Sequence, residues 1–307
     1  MTTTKHMAQA VKRDIHQEVT DQIIAMLEDC GEYEQAWVNP FPTFRPQNPI
    51  SGNVYRGVNV LILGAAALRK RYPVNLWMTF KQALENGTPV KPGERSTYVV
   101  RYGVYDKTIE SEDDVDTSET LTEMKMFLKY YPVFNVSQLD GYVIPEIQTQ
   151  GTGFLEGIDA AERLLNDSGA NWVEQKGNVA FYSPEKDCIT LPMRSQFKSA
   201  EGFYSVALHE LVHWTGHSSR LNRNFTRMRF GNHNYAFEEL VAEIGAAFLC
   251  GAIGIEAKTL PNHAAYIKSW LEVLRNDKKA IFTAAAQAQK AFDLLTESAV
   301  SLNSKAA

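Results

Sequence analysis

A chain of 307 residues, 44% of them hydrophobic, has room for two domains of ordinary size, each with its own buried core. Its formal net charge of −5 excludes a uniformly basic nucleic-acid binder and leaves open a local basic patch. The three cysteines, Cys30, Cys188 and Cys250, stand far apart in no CxxC pattern, which argues against a thiolate metal site and for a reducing, cytoplasmic compartment.

The opening MTTTKHMAQAVKRD lacks the apolar centre of a signal peptide. The longest apolar run, Val58 to Leu68, is too short to span a bilayer, so no membrane partner is expected. From Arg13 to Cys30, Ile15, Val19, Ile23, Ile24, Met26 and Leu27 give an amphipathic helix, which Gly31 ends. The proline-rich stretch Trp37 to Pro46 reads as an extended connector. Ser51 to Asn59 is a turn into an Ala/Leu-rich helix ending near Arg69-Lys70-Arg71. Trp77-Met78-Thr79-Phe80 is expected to open a further helix, and Val90 to Arg95 a turn before a strand at Thr97–Tyr102.

Glu110 to Glu123 carries seven acids and almost no apolar residue, the pattern of a mobile acidic loop. Lys125 to Val136 then reads as a strand returning to the first sheet, and Gln148–Gly153 as a linker. Beyond it come a helix at Gly157–Leu165 and a hairpin made of Val179–Tyr182 and Cys188–Leu191. Two helices, Pro261–Leu274 and Lys278–Leu295, close the chain.

Between Pro40 and Lys107 ten Lys or Arg face three acids, a local balance opposite to that of the whole chain. Aromatic residues are interleaved with them. Cations that follow phosphates and aromatic faces that stack on unpaired bases are the two requirements of single-strand binding. The expected DNA contacts are Arg45, Tyr55, Arg56, Trp77, Lys81, Lys91 and Arg95. No nuclease-like carboxylate and lysine cluster accompanies them.

The run His209-Glu210-Leu211-Val212-His213, HELVH, carries the chemistry of the second half. Histidines four apart share one helix face and can reach one ion. Glu210, beside the first of them, can hold and deprotonate a water on that ion. Zinc is the expected ion, with another divalent metal as the alternative. A third donor is needed, and Tyr235 to Phe248 reads as a helix with Glu239 and Glu243 one turn apart. We assign Glu239 as the third ligand and Glu243 as the carboxylate that orients a ligating histidine through its other ring nitrogen. Small Ala242, Gly245 and Ala246 would let another helix approach closely. His217 is the rival ligand, because Gly216 fits the HExxHxxGxxH pattern, yet the third histidine position of that pattern is Ser219. Glu238, Glu239 and Glu243 could also be an ordinary solvated face. Tyr266 or His263 is a candidate for stabilising an oxyanion.

The segments TDQIIAMLEDCG, SGNVYRGVNVLIL, WMTFKQALENGTPVKPGERSTYVV, YYPVFNVSQ, ALHELVHWTGHSSRLNR and YAFEELVAEIGAAFL resemble, in order and spacing, the plasmid antirestriction proteins of the ArdC type. The resemblance runs from about Gln17 to Leu295. It implies an N-terminal single-stranded-DNA-binding domain, a zincin-like metallopeptidase domain, and protection of plasmid DNA entering a new host by conjugation. It also implies metal ligation by His209, His213 and Glu239, with Glu210 as general base.

The expected fold class is therefore α+β in two domains. Residues 1–147 form a mixed α/β DNA-binding domain, and residues 148–307 a zincin-like, mostly helical domain with a small antiparallel sheet. The expected partners are single-stranded DNA and a host restriction or repair protein as peptidase substrate. The rival reading is a DNA-binding and protein-docking factor whose metal site is structural.

Overall fold

The computed structural model describes residues 14–29, 45–109, 121–144, 154–223, 233–255 and 263–303. The acidic residues 110–120, most of the proline-rich connector and the expected linker lie outside them.

Helix α1 (Ile15–Asp29) buries the predicted stripe Val19, Ile23 and Leu27. Helix α2 (Val58–Lys70) is buried along most of its length and ends at Arg71, which takes a left-handed φ of 53°. Trp77 does not open a helix. Residues Trp77–Thr79 form strand β1, and helix α3 (Phe80–Glu85) starts only after Thr79. The reason is a capping box: Thr79 Oγ1 accepts from the Gln82 N–H at 3.2 Å, and Gln82 Oε1 accepts from the Thr79 N–H at 3.0 Å. Strands β2 (Thr97–Ile109) and β3 (Leu121–Asn135) form a hairpin longer than expected. Its register places Glu123, from the end of the acidic stretch, opposite Lys107. The first sheet is antiparallel in the order β1-β3-β2.

In the second half, α4 (Phe154–Asp167) precedes a strand the sequence reading missed, β4 (Asn171–Gln175). The predicted hairpin is present as β5 (Phe181–Ser183) and β6 (Cys188–Pro192). Strand β6 lies in the middle, antiparallel to β5 and parallel to β4. The small sheet is thus mixed rather than wholly antiparallel, because β4 enters from α4 beside the inner strand and not through a tight turn.

Among the described residues four more helices follow: α5 (Ala200–Thr215), α6 (His233–Ile253), α7 (His263–Asn276) and α8 (Ala280–Asn303). Ser199 caps α5, its hydroxyl accepting from the Gly202 N–H at 3.3 Å. Helix α6 packs against α5, α7 and α8. One apolar cluster contains α1 residues such as Ile23 and Leu27 together with Trp270, Leu274 and Ile281 from the last two helices. The halves are also joined by polar contacts. Thr20 Oγ1 donates to the Lys278 carbonyl at 2.8 Å, and Gln289 Oε1 accepts from Arg45 Nη2 at 3.1 Å and from the Gly57 N–H at 3.0 Å. No helix among the described residues is long and apolar enough to cross a membrane.

Candidate functional site

Helices α5 and α6 build the site between them. The i, i+4 spacing sends both histidine rings from one face of α5 toward α6, with His209 Nε2 and His213 Nε2 3.2 Å apart. Helix α6 answers with Glu239, whose Oε2 lies 3.4 Å from His209 Nε2 and whose Oε1 lies 3.6 Å from His213 Nε2. One donor atom from each of these three buried residues falls within 4.8 Å of the others. The helices approach this closely because Gly245 faces Val212. A Cβ at Gly245 would stand 2.9 Å from both γ-methyls.

The outward ring nitrogens are held by carboxylates. His209 Nδ1 lies 3.3 Å from Glu243 Oε2, an ion-pair contact without hydrogen-bond alignment. His213 Nδ1 lies 3.1 Å from Glu238 Oε1. A carboxylate only accepts, so Nδ1 of His213 carries a proton, and once the ring is neutral it is the Nε2 lone pair that is turned inward. Glu238 is anchored in turn by Arg223, whose Nε and Nη2 both donate to it at 2.9 Å. The same guanidinium donates to Thr215 Oγ1 and to the Val212 carbonyl. Charge and orientation are therefore fixed from outside the donor set. Two imidazoles and one carboxylate, converging and individually braced, could hold a divalent cation with room for a further ligand.

The electrostatics follow from burial. Burial opposes the imidazolium of His213, but the Glu238 and Glu239 carboxylates overcome it and hold the group at about 9. Glu239 is the reverse case. Burial raises it, while the two histidines bring it well below the usual carboxylate range. Burial pushes Glu210 up, with Glu239 adding to the effect and the histidines opposing it.

Glu210 is buried beside this cluster and accepts a backbone hydrogen bond from Tyr182 on β5. Strand β5 is an edge of its sheet. Its position is fixed by Arg220, which stacks 3.8 Å above the Trp214 ring and donates to the Tyr182 hydroxyl and to Asp187. His217 does not join the donors. Its Nδ1 lies 2.8 Å from Ser219 Oγ. The side chains of His263 and Tyr266 lie outside the described residues.

Sequence reasoning did not single out Glu238 and Arg223 for these roles. Glu238 stood among the acids of a face that could have been solvated, and Arg223 follows α5 in a loop with no periodicity to mark it.

The residues expected to meet DNA fall into two groups. Lys81, Lys91 and Arg95 are exposed, Lys81 beside Glu85 and Lys91 donating to the Ser137 carbonyl. Of the others, Arg56 is exposed but ion-paired, and the rest are wholly or partly buried. Trp77 is fully buried and donates its indole N–H to Asn75 Oδ1, so its ring offers no free face to a base. Tyr55 is partly buried, and its hydroxyl reaches the Trp77 carbonyl at 3.5 Å. Arg45 lies 4.3 Å above the Phe292 ring and Arg56 pairs with Asp293, both on α8. Among the described residues, the exposed aromatics of the first half are instead Phe80, Tyr98, Tyr102, Tyr130 and Tyr131.

Residues 13–134 match the N-terminal domain of anti-restriction factor ArdC, and residues 159–287 match a zincin-like metallopeptidase domain. The protein y4eC of Sinorhizobium fredii is 36% identical over 282 residues, covering 91% of each chain. A DNA primase TraC of Escherichia coli is 35% identical over 297 residues, which are 92% of this chain and only 20% of the primase. A metal-free crystal structure of the antirestriction protein ArdC from plasmid R388 superposes with a TM-score of 0.77 at 38% identity, covering 94% of this chain and 99% of that one. A Mn(II)-bound structure of the same protein gives 0.74 at 39% identity, covering 94% and 98%. By sequence and by fold, over nearly its whole length, the chain belongs to the ArdC family of antirestriction proteins.

Proposed function

We propose that this chain protects incoming plasmid DNA during conjugation by joining two activities: single-strand binding in the first half and a divalent-metal, peptidase-like site in the second. The carrying observation is the convergence of His209, His213 and Glu239 with Glu210 buried beside them. When bound, the ion supplies Lewis acidity toward a carbonyl and lowers the pKa of a water. The donor set suits zinc, and the existence of an Mn(II)-bound structure of the R388 relative supports another divalent ion as the alternative.

Glu210 acts as the general base, taking a proton from the attacking water and returning it to the leaving amine. Burial pushes its carboxyl up, toward the range in which proton transfer works in both directions. Edge strand β5 gives an extended peptide a template next to these groups. The peptide would come from a host restriction or repair protein.

One observation favours the structural reading of the metal: His209, Glu210, His213 and Glu239 are each at most 8% exposed, which leaves a peptide little access. The variant Glu210→Gln separates the two readings. If it binds metal and single-stranded DNA like the parent but fails to protect a conjugating plasmid, the site turns over. If protection is kept in full, the metal only holds α5 to α6. Titration of the full chain into labelled single- and double-stranded oligonucleotides at two salt concentrations tests the DNA half. Tight, salt-sensitive binding with preference for the single strand is expected.

A further inference from the structure

Helices α1 and α2 and the β2–β3 hairpin enclose a slot of about 130 Å³. One wall is the Tyr98–Tyr130 pair, set edge to face with ring centroids 5.3 Å apart. Both rings are about two-fifths exposed, at 38% and 41%. Across from them, α1 contributes Glu18 and Gln22, one turn apart, and α2 contributes Arg69, followed by Lys70 and Arg71 at the helix end.

The geometry points to a subsite for one unstacked nucleobase that prefers a base bearing an exocyclic amino group. This rests on the single-strand reading above and departs from its lack of sequence preference. Three features select the ligand. The slot's volume and the exposed tyrosine rings that line it suit one planar ring, and stacking of bases on aromatic side chains is the usual source of single-strand affinity. A paired base cannot enter a recess walled by two helices and a hairpin, because its partner would collide with the walls. An extended peptide is disfavoured by Asn59, whose side chain accepts from the Val100 N–H and donates to the Val100 carbonyl, both at 2.8 Å. The strand edge that a peptide would pair with is filled there.

The polar rim sets the preference. A carboxylate accepts and cannot donate, so Glu18 favours a base that presents an amino group, as in carboxylate recognition of cytosine N4. Uracil sets its 4-oxo group against Glu18, acceptor against acceptor, and offers only an N3–H flanked by two carbonyl oxygens that repel a carboxylate. Arg69 and its two basic neighbours lie where the backbone of the same nucleotide would emerge, and serve any base alike.

The test uses the full-length protein and labelled oligo(dC) and oligo(dU), whose bases differ at position 4 and in the proton on N3. Oligo(dC) is expected to bind about five- to tenfold more tightly. Glu18→Gln should remove most of that difference, because the amide offers a donor to the 4-oxo group of uracil as well as an acceptor to the amino group of cytosine. Arg69→Gln should weaken both oligonucleotides alike and reduce the salt slope by about one. Tyr98→Ala should weaken both by about tenfold, with its melting temperature checked against the parent. Equal binding of the two oligonucleotides overturns the subsite while leaving single-strand binding in place, and so does a cytosine preference that survives Glu18→Gln. Failure of both oligonucleotides to bind at low salt overturns the single-strand reading and the subsite with it.

Discussion

Gly245 on α6 lies against Val212 on α5 so closely that any Cβ there would stand 2.9 Å from both valine γ-methyls. The β-branched side chain of valine is stiff at χ1 and cannot swing aside. Two residues before Gly245 is Glu243, and the residue after Val212 is His213, so the spacing of these helices sets the spacing of the donors. Gly245→Ala is expected to push α5 from α6, lower divalent-metal affinity at least tenfold and cost about 1–3 kcal/mol of stability. Calorimetric metal titration and thermal melts measure both, and Val212→Ala in the same chain should restore much of the affinity by making room for the methyl.

The Glu238–Arg223 brace predicts a different signature. Glu238→Gln keeps the shape of the side chain but removes the charge that holds the His213 ring proton on Nδ1. Metal affinity should fall by about 10- to 100-fold. Arg223→Met should do the same and in addition destabilise the fold, since it leaves the buried Glu238 charge and the Val212 carbonyl without this partner.

Metal loading should release protons. The metal takes the neutral imidazole, whereas against the pull of burial Glu238 and Glu239 hold the metal-free His213 at about 9, and Glu239 and Glu243 raise His209. Below about pH 9 the imidazolium therefore competes with the ion, and affinity should climb as pH rises from 6 toward 9. Calorimetry in buffers of different ionisation enthalpy counts the protons released. A flat affinity across this window would show that the histidines are neutral in the metal-free protein.

Gln289 is the polar centre of the contact between the two halves. Its Oε1 serves both Arg45 and the Gly57 N–H, and its Nε2 donates to Asp293 at 3.0 Å. Gln289→Leu removes the acceptor and retains the bulk. It should cost about 1–3 kcal/mol, the penalty for stranding buried donors, with little effect on metal affinity. Denaturant melts monitored by tryptophan fluorescence would register it.

The metal-ligand pattern was legible because a helix converts sequence spacing into shared direction. HELVH and the i, i+4 acids at Glu239 and Glu243 state their geometry in the sequence, and so do the small residues that let α6 approach. The capping box at Thr79 and Gln82 was legible in principle, and it is what separates β1 from α3. What stayed hidden depends on contacts between distant segments. Nothing local tells that Glu238 rather than Glu243 meets His213, because both lie on an apolar helix flanked alike. Arg45 and Arg56 look like solvent-facing cations until α8, more than 230 residues later, supplies Gln289 and Asp293. Trp77 and Tyr98 are both aromatics among cations. Only the sheet register and its cover decide that one is core and the other surface.

The Thr20–Lys278 hydrogen bond and the shared apolar cluster of α1 with α7 and α8 join segments from opposite ends of the described chain. On the ribosome this reverses the usual order of events, in which an N-terminal module completes itself before the next emerges. Ile23 and Leu27 must wait, partly covered, until almost the whole polypeptide has been synthesised. The loop closed by that contact is among the longest the chain allows, and its entropy is lost in one late step. Nascent chains arrested before α7 should therefore expose α1 to chaperones and proteases, and truncation before α7 should remove part of its cover permanently.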